Sequence, residues 1–100
     1  MTLFDRLRDI ELANRVKLLT CELEIILNLY HRPHISAGEL FGCSRYSSTS
    51  FYATLKRLTH NGLLVVSVDQ RDRRSNIYAL TGDMTASIRG CLEAASDKAE

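Results

Sequence analysis

Hydrophobic residues along this chain fall into segments whose spacing changes from helical to alternating and back again. In residues 3–19, Leu3, Leu7 and Ile10 recur on one side of a 3.6-residue spiral, whereas Leu12, Val16 and Leu19 recur on nearly the opposite side. The pattern predicts a first helix that is apolar on both sides and needs two surfaces to bury against. Thr20 stands where it can cap a second helix, CELEIILNLY, in which Leu23, Ile26, Leu27 and Tyr30 form one stripe before HRPH stops it.

Next comes SAGE, with Ser36 at the cap and Glu39 three residues on, a capping box that starts a short helix with Leu40 and Phe41 inward. GCSR breaks it. Ser47 caps a fourth helix running to about Asn61 and ended by Gly62, the residue that best accepts a left-handed conformation. Along that helix Phe51, Leu55 and Leu58 bury together, which leaves Thr49, Ala53 and Lys56 pointing away, flanked by Tyr52 and Arg57. Two β-branched and aromatic runs follow, LLVVSV and SNIYALT, separated by the charged tip of residues 69–74, and read as a two-stranded ribbon. Residues 82–100 close the chain as a helix with Met84, Ile88, Cys91 and Ala95 on one stripe.

Helix, short capped helix, tight turn, helix and hairpin make a mainly α, α+β fold. It is a winged helix-turn-helix with a two-stranded β wing flanked by N- and C-terminal helices. At 100 residues, with 45% hydrophobic and 25% charged side chains, the chain suits one domain and is too short for two buried cores. The expected division is residues 1–19 and 82–100 as terminal helices and 20–81 as the core and wing. One proline and no Ser/Gly tract leave nothing to read as a linker. The apolar runs are far shorter than the roughly 18 residues a membrane span needs, and the start is amphipathic rather than signal-like. A cytoplasmic location without membrane contact is expected.

Three cysteines, Cys21, Cys43 and Cys91, lie far apart without a C-x-x-C, so neither a disulfide framework nor structural zinc is indicated. Each reads as a small buried hydrophobe. Cys21 has a second reading, because at a helix start the dipole favours thiolate and could support oxidant sensing. His31 and His34 share an H-x-x-H spacing but are interrupted by Pro33 and lack a third ligand, so a solvated loop is expected and no metal. No G-x-S-x-G, phosphate-binding glycine loop or H-E-x-x-H occurs, so the reading is non-enzymatic and requires no cofactor.

Net charge is +1, but its distribution is uneven. Residues 45–74 hold six basic and two acidic side chains, a net of +4, against seven basic and ten acidic in the remainder. That segment contains both the fourth helix and the ribbon. A helix whose exposed first half is short and polar can enter the roughly 12 Å major groove and hydrogen-bond base edges. A ribbon tipped with arginine can reach the neighbouring backbone or minor groove, and the aspartates there would orient the arginines and limit their repulsion.

Residues 19–81 resemble the MarR-type winged-helix transcriptional regulators, through LTCELEIIL, SAGEL, SRYSSTSFYATLKRLTHNGLL and DQRDRRSNIYALT. The most specific element is D-x-R-D-x-R at Asp69, Arg71, Asp72 and Arg74. The resemblance implies homodimers that bind pseudo-palindromic operators, usually as repressors and often released by small phenolic ligands or oxidants. It also implies that Arg74 is a minor-groove arginine with Asp72 as its orienting partner. Gly82 comes earlier than the family's usual glycine, Gln70 replaces a common proline, and the terminal helices are short for the family.

The expected partners are therefore double-stranded DNA and a second copy of the chain, with an unidentified small-molecule effector. Ser47, Ser48, Thr49, Tyr52, Ala53 and Lys56 are the candidate recognition-helix residues, and Arg71, Asp72, Arg73 and Arg74 the candidate wing residues. Leu12, Val16, Leu19, Ile88 and Leu92 are the candidate dimer interface. Tyr46 reads equally as core or as readout. A winged-helix protein-interaction module without DNA readout is the alternative.

Overall fold

The computed structural model describes residues 2–98, of which 95–98 are described as backbone only. Helix α1, Leu3–Asn14, begins in a capping box: Thr2 Oγ1 accepts from the Asp5 N–H at 3.2 Å while the Asp5 carboxylate accepts from the Thr2 N–H at 3.1 Å. It ends five residues before the sequence pattern predicts. Arg15 turns left-handed, at φ 55°, and the Val16 N–H returns to the Glu11 carbonyl. Leu12 and Val16 stay exposed, but Leu19 swings inward and is wholly buried with Phe4 and Leu27. Leu19 therefore belongs to the protomer's own core and is lost to any interface between copies. Ile10, expected inside, is exposed, and Phe4 takes the buried place.

Thr20 caps α2, Cys21–His31, accepting from the Leu23 N–H at 3.1 Å. Six successive residues, Glu24–Leu29, are buried, so α2 is the central helix, with other elements packed around it rather than against a single stripe. Leu23 and Tyr30 of the expected stripe are only half-buried. Strand β1, Ile35–Ser36, leads directly into α3, Ala37–Gly42, where the Ser36 hydroxyl accepts from the Glu39 N–H as expected.

Helix α4, Ser48–His60, is capped by Ser47 and buries Phe51, Thr54, Leu55 and Leu58. Gly62 then adopts φ 79°, which lets the Leu63 N–H reach the Leu58 carbonyl and turns the chain out of the helix. Strands β2, Leu64–Val68, and β3, Asn76–Leu80, pair antiparallel from Leu64↔Leu80 to Val68↔Asn76.

The sheet has three strands in the order β1-β3-β2, not two, because Ile35 and Ser36 pair with Tyr78 and Ile77. Two residues are too few to show an alternation, and main-chain pairing alone makes this strand. The pair Leu64 and Leu80 is buried at the base, whereas Val65, Val66 and Val68 are exposed as the ribbon leaves the core.

One core gathers Ile25, Ile26, Leu29, Ile35, Leu40, Phe51, Leu55, Leu58, Leu64 and Leu80 from α2, the sheet, α3 and α4. Thr81 caps α5, Gly82–Lys98, through the Met84 N–H at 3.2 Å, so the early glycine occupies the first helical position. Met84 and Ile88 pack half-buried on the core, Leu92 is half-buried, and Cys91 is exposed rather than inward. Ala95, the last member of that expected stripe, lies outside the described side chains. Cys21 and Cys43 are also only partly buried. Among the described residues, no helix is long and apolar enough to cross a membrane.

Candidate nucleic-acid interface

Helix α4 presents Ser48, Thr49, Tyr52, Ala53 and Lys56 on the side opposite its buried stripe, and Ser47 is exposed at its cap. Phe51, Leu55 and Leu58 fix the rotation of the helix by burial, so the polar side must face outward. Tyr52 is both anchored and accessible: it is 46% exposed, yet its ring stands edge-on to Phe51 at 4.9 Å and lies 5.8 Å from Phe41. Its orientation is thus set by the core while its outer edge stays free.

Tyr52 and Lys56 also border a cleft of about 450 Å³ whose far wall is Tyr78 of β3. The exposed side of α4 and the base of the wing therefore adjoin. Tyr78 was invisible as a neighbour of α4 in the sequence, because β3 meets that helix only after the sheet folds back.

The wing tip is built by its aspartates. Asp69 Oδ1 accepts from the Arg71 N–H at 2.9 Å, and the Asp69 N–H reaches the Ser75 carbonyl at 2.9 Å. Asp72 repeats this, accepting from the Arg74 N–H at 3.1 Å and from the Ser75 hydroxyl at 3.1 Å. Both carboxylates hold backbone, the ordinary use of aspartate in turns. The expected pairing of the Asp72 carboxylate with the Arg74 guanidinium is absent. Arg71, Arg73 and Arg74 are exposed, and among the described residues none of them has a carboxylate partner.

Two other cations of the positive segment are not free. Arg57 lies 3.0 Å from Glu22, an exposed pair of small energetic weight. Arg45 is held by two buried carboxylates, Glu11 at 2.7 Å and Glu24 at 3.4 Å, so its charge is cancelled within the protein. Burial alone would push the Glu11 carboxyl up. The N–H groups of Leu19 and Leu18 and the Arg45 guanidinium outweigh burial and hold it below its ordinary value. No sequence spacing marks Glu11, Glu24 and Arg45 as partners, since they are brought together only by packing.

Tyr46 is structural: its hydroxyl donates to the Leu19 carbonyl at 2.8 Å, and Lys17 Nζ lies 4.3 Å from its ring centroid. His31 ends α2 edge-on to Tyr30, and His34 is exposed in the following loop at φ 63°. Among the described residues no group of three potential ligands could hold a metal ion.

The class this architecture defines is the winged helix-turn-helix. Within it, the chain has the fold of the MarR-family transcriptional regulators. BpsR of Bordetella bronchiseptica, described as regulated in DNA binding by 6-hydroxynicotinic acid, is similar over 95% of this chain and 72% of its own, with TM-score 0.65 and 22% identity. The crystal structure of MarR has the same coverage and TM-score at 19% identity. S. aureus MepR in complex with DNA is similar over 96% of this chain and 78% of its own, with TM-score 0.70 and 13% identity. These likenesses are of fold. No protein-family model matches the sequence, and no curated protein matches it.

Proposed function

We propose that this chain is a sequence-specific DNA-binding transcriptional regulator that acts in the cytoplasm as a homodimeric repressor on a pseudo-palindromic operator. The carrying observation is the adjacency of two exposed elements: the polar side of α4 and a wing whose three tip arginines have no carboxylate partner among the described residues. In this reading Ser47, Ser48, Thr49, Tyr52, Ala53 and Lys56 meet the major groove, and Arg71, Arg73 and Arg74 meet phosphate or the minor groove. Asp72 serves them by shaping the turn. The DNA complex of MepR, a protein of the same fold, supports the reading.

The homodimer reading rests on Leu12 and Val16, exposed apolar residues that a second copy would cover. Ile88 and Leu92, half-buried on α5, would extend it; Leu19 takes no part. A small-molecule effector is consistent with the regulation described for BpsR. In this chain a cavity of about 400 Å³ between α2, β3 and α5, bordered by Tyr30, His34 and Arg89, would accept a small acid.

A mobility-shift series on fragmented genomic DNA tests the function. Salt-sensitive shifts on a subset of fragments are expected. Absence of any shift at low salt would overturn the reading in favour of a protein-interaction module.

A further inference from the structure

The turn leading into α4 carries a cation whose side chain is 29% exposed but whose hydrogen bonds and ion pairs all run inward. Arg45 precedes the Ser47 cap by two residues and makes contacts in three directions. Its Nη1 lies 2.7 Å from Glu11 Oε1 and its Nη2 2.8 Å from Glu11 Oε2, on the last turn of α1. Its Nε lies 3.4 Å from Glu24 Oε2 on the first turn of α2, and Nη2 donates to the Leu19 carbonyl at 3.1 Å. The Glu11 carboxylate also accepts the N–H groups of Leu18 and Leu19. Both carboxylate side chains are almost wholly buried, at 2% and 1% exposed.

We propose that Arg45 is the positioning residue of α4, fixing where that helix begins relative to α1 and α2, and that it is not a phosphate contact. The effect on DNA rests on the reading above; the effect on the protein does not. An arginine beside a recognition helix would ordinarily be assigned to the DNA backbone. Here a guanidinium drawn out to a phosphate would leave two buried carboxylates unpaired, the costly state for buried charge, so the inward contacts favour the seat over the DNA backbone. The planar fork is also needed as such: Arg45 grips both oxygens of Glu11 while reaching Glu24 and the Leu19 carbonyl, four contacts from a rigid fork where a lysine ammonium has three N–H groups on one atom. One carboxylate, Glu11, thus takes part both in ending α1 and in seating α4.

The test uses the full chain with Arg45→Gln, Arg45→Lys, and the triple change Glu11→Gln, Glu24→Gln, Arg45→Gln, which removes the buried charges together and keeps a folded reference if Arg45→Gln alone is unstable. Hydrogen exchange without DNA is read at Leu18, Leu19, Ser50 and Phe51. In all three variants exchange at these four amides should rise together by at least about tenfold, while the β2–β3 amides stay protected. A uniform rise over the whole chain, or unchanged exchange at Ser50 and Phe51, would overturn the proposal.

Binding is then read on a duplex that the wild type selects from a random library and on its scrambled counterpart. Arg45→Lys should behave like Arg45→Gln: an unchanged salt slope, and a preference for the selected duplex lowered by at least about fivefold. Equal loss on both duplexes with a slope lower by about one, restored by lysine, would make Arg45 a phosphate contact. If the wild type selects no duplex, the DNA reading fails, and exchange alone decides whether Arg45 positions α4.

Discussion

Asp72 holds the backbone of Arg74 and leaves its guanidinium free: Oδ1 accepts the Arg74 N–H at 3.1 Å while the carboxylate's other oxygen takes the Ser75 hydroxyl. On the proposed DNA reading, the aspartate would act through the shape of the tip. Asp72→Asn, which keeps the acceptor oxygen, should bind as the wild type does. Asp72→Ala should weaken binding and destabilise the tip by about 1 kcal/mol, the usual worth of such a local hydrogen bond. Parallel melting and binding measurements separate these outcomes. Equal loss in both variants would mean that charge matters rather than turn geometry.

Arg71→Ala, Arg73→Ala and Arg74→Ala should each leave the fold within about 0.5 kcal/mol, because exposed turn positions carry little packing. A phosphate contact at Arg71 or Arg73 appears as a loss on every sequence and a salt slope lower by about one. Arg74→Ala should hurt most on A·T-rich flanks, where a narrow minor groove concentrates negative potential. Titration of each variant on two flanking sequences at several salt concentrations reads both effects.

Thr49→Ala should change preference among operator variants by about 1 to 3 kcal/mol at the contacted base pair. For Tyr52 the informative change is Tyr52→Phe, which keeps the packing on Phe41 and Phe51 and removes only the hydroxyl. It should shift sequence preference without lowering the melting temperature. Uniform weakening over all sequences would make α4 a positioning helix rather than a reading one.

Leu12→Glu and Leu19→Ala should part company. Leu12 is 76% exposed, so a charge there should leave the protomer folded and yield a monomer in light scattering. Leu19 is fully buried, and its truncation should cost about 2 to 5 kcal/mol of stability through the cavity left beside Phe4 and Leu27. A dimer that survives Leu12→Glu would place the interface elsewhere.

Glu11 makes stability depend on acid. Its carboxyl titrates below its ordinary 4.5 in the folded chain, so its contribution is complete above that value and is lost as pH falls through the folded one. Denaturation midpoints should fall more steeply below pH of about 4.5 in the wild type than in Glu11→Gln, whose neutral side chain has nothing to titrate there. Identical acid profiles would show that other carboxylates govern the loss.

Much of the chain is local in origin and was legible as such. Caps at Thr20, Ser36 and Ser47, the left-handed glycine at 62, the inward stripe of Phe51, Leu55 and Leu58, and the charged tip depend on residues within a turn or two of one another, and all are found. Helical periodicity runs further along the sequence than the helix does: Leu12, Val16 and Leu19 fit one helix side, but Arg15 ends the helix and of the three only Leu19 is buried. The third strand, the packing of α2 on many sides and the cancellation of Arg45 were decided by tertiary structure alone. Each depends on groups far apart in the chain, Glu11 and Arg45 or Ser36 and Ile77, whose attraction acts only once the fold has brought them within hydrogen-bonding distance. Capping and periodicity are short-range forces written in neighbouring residues, whereas the fate of a buried charge depends on which distant partner reaches it.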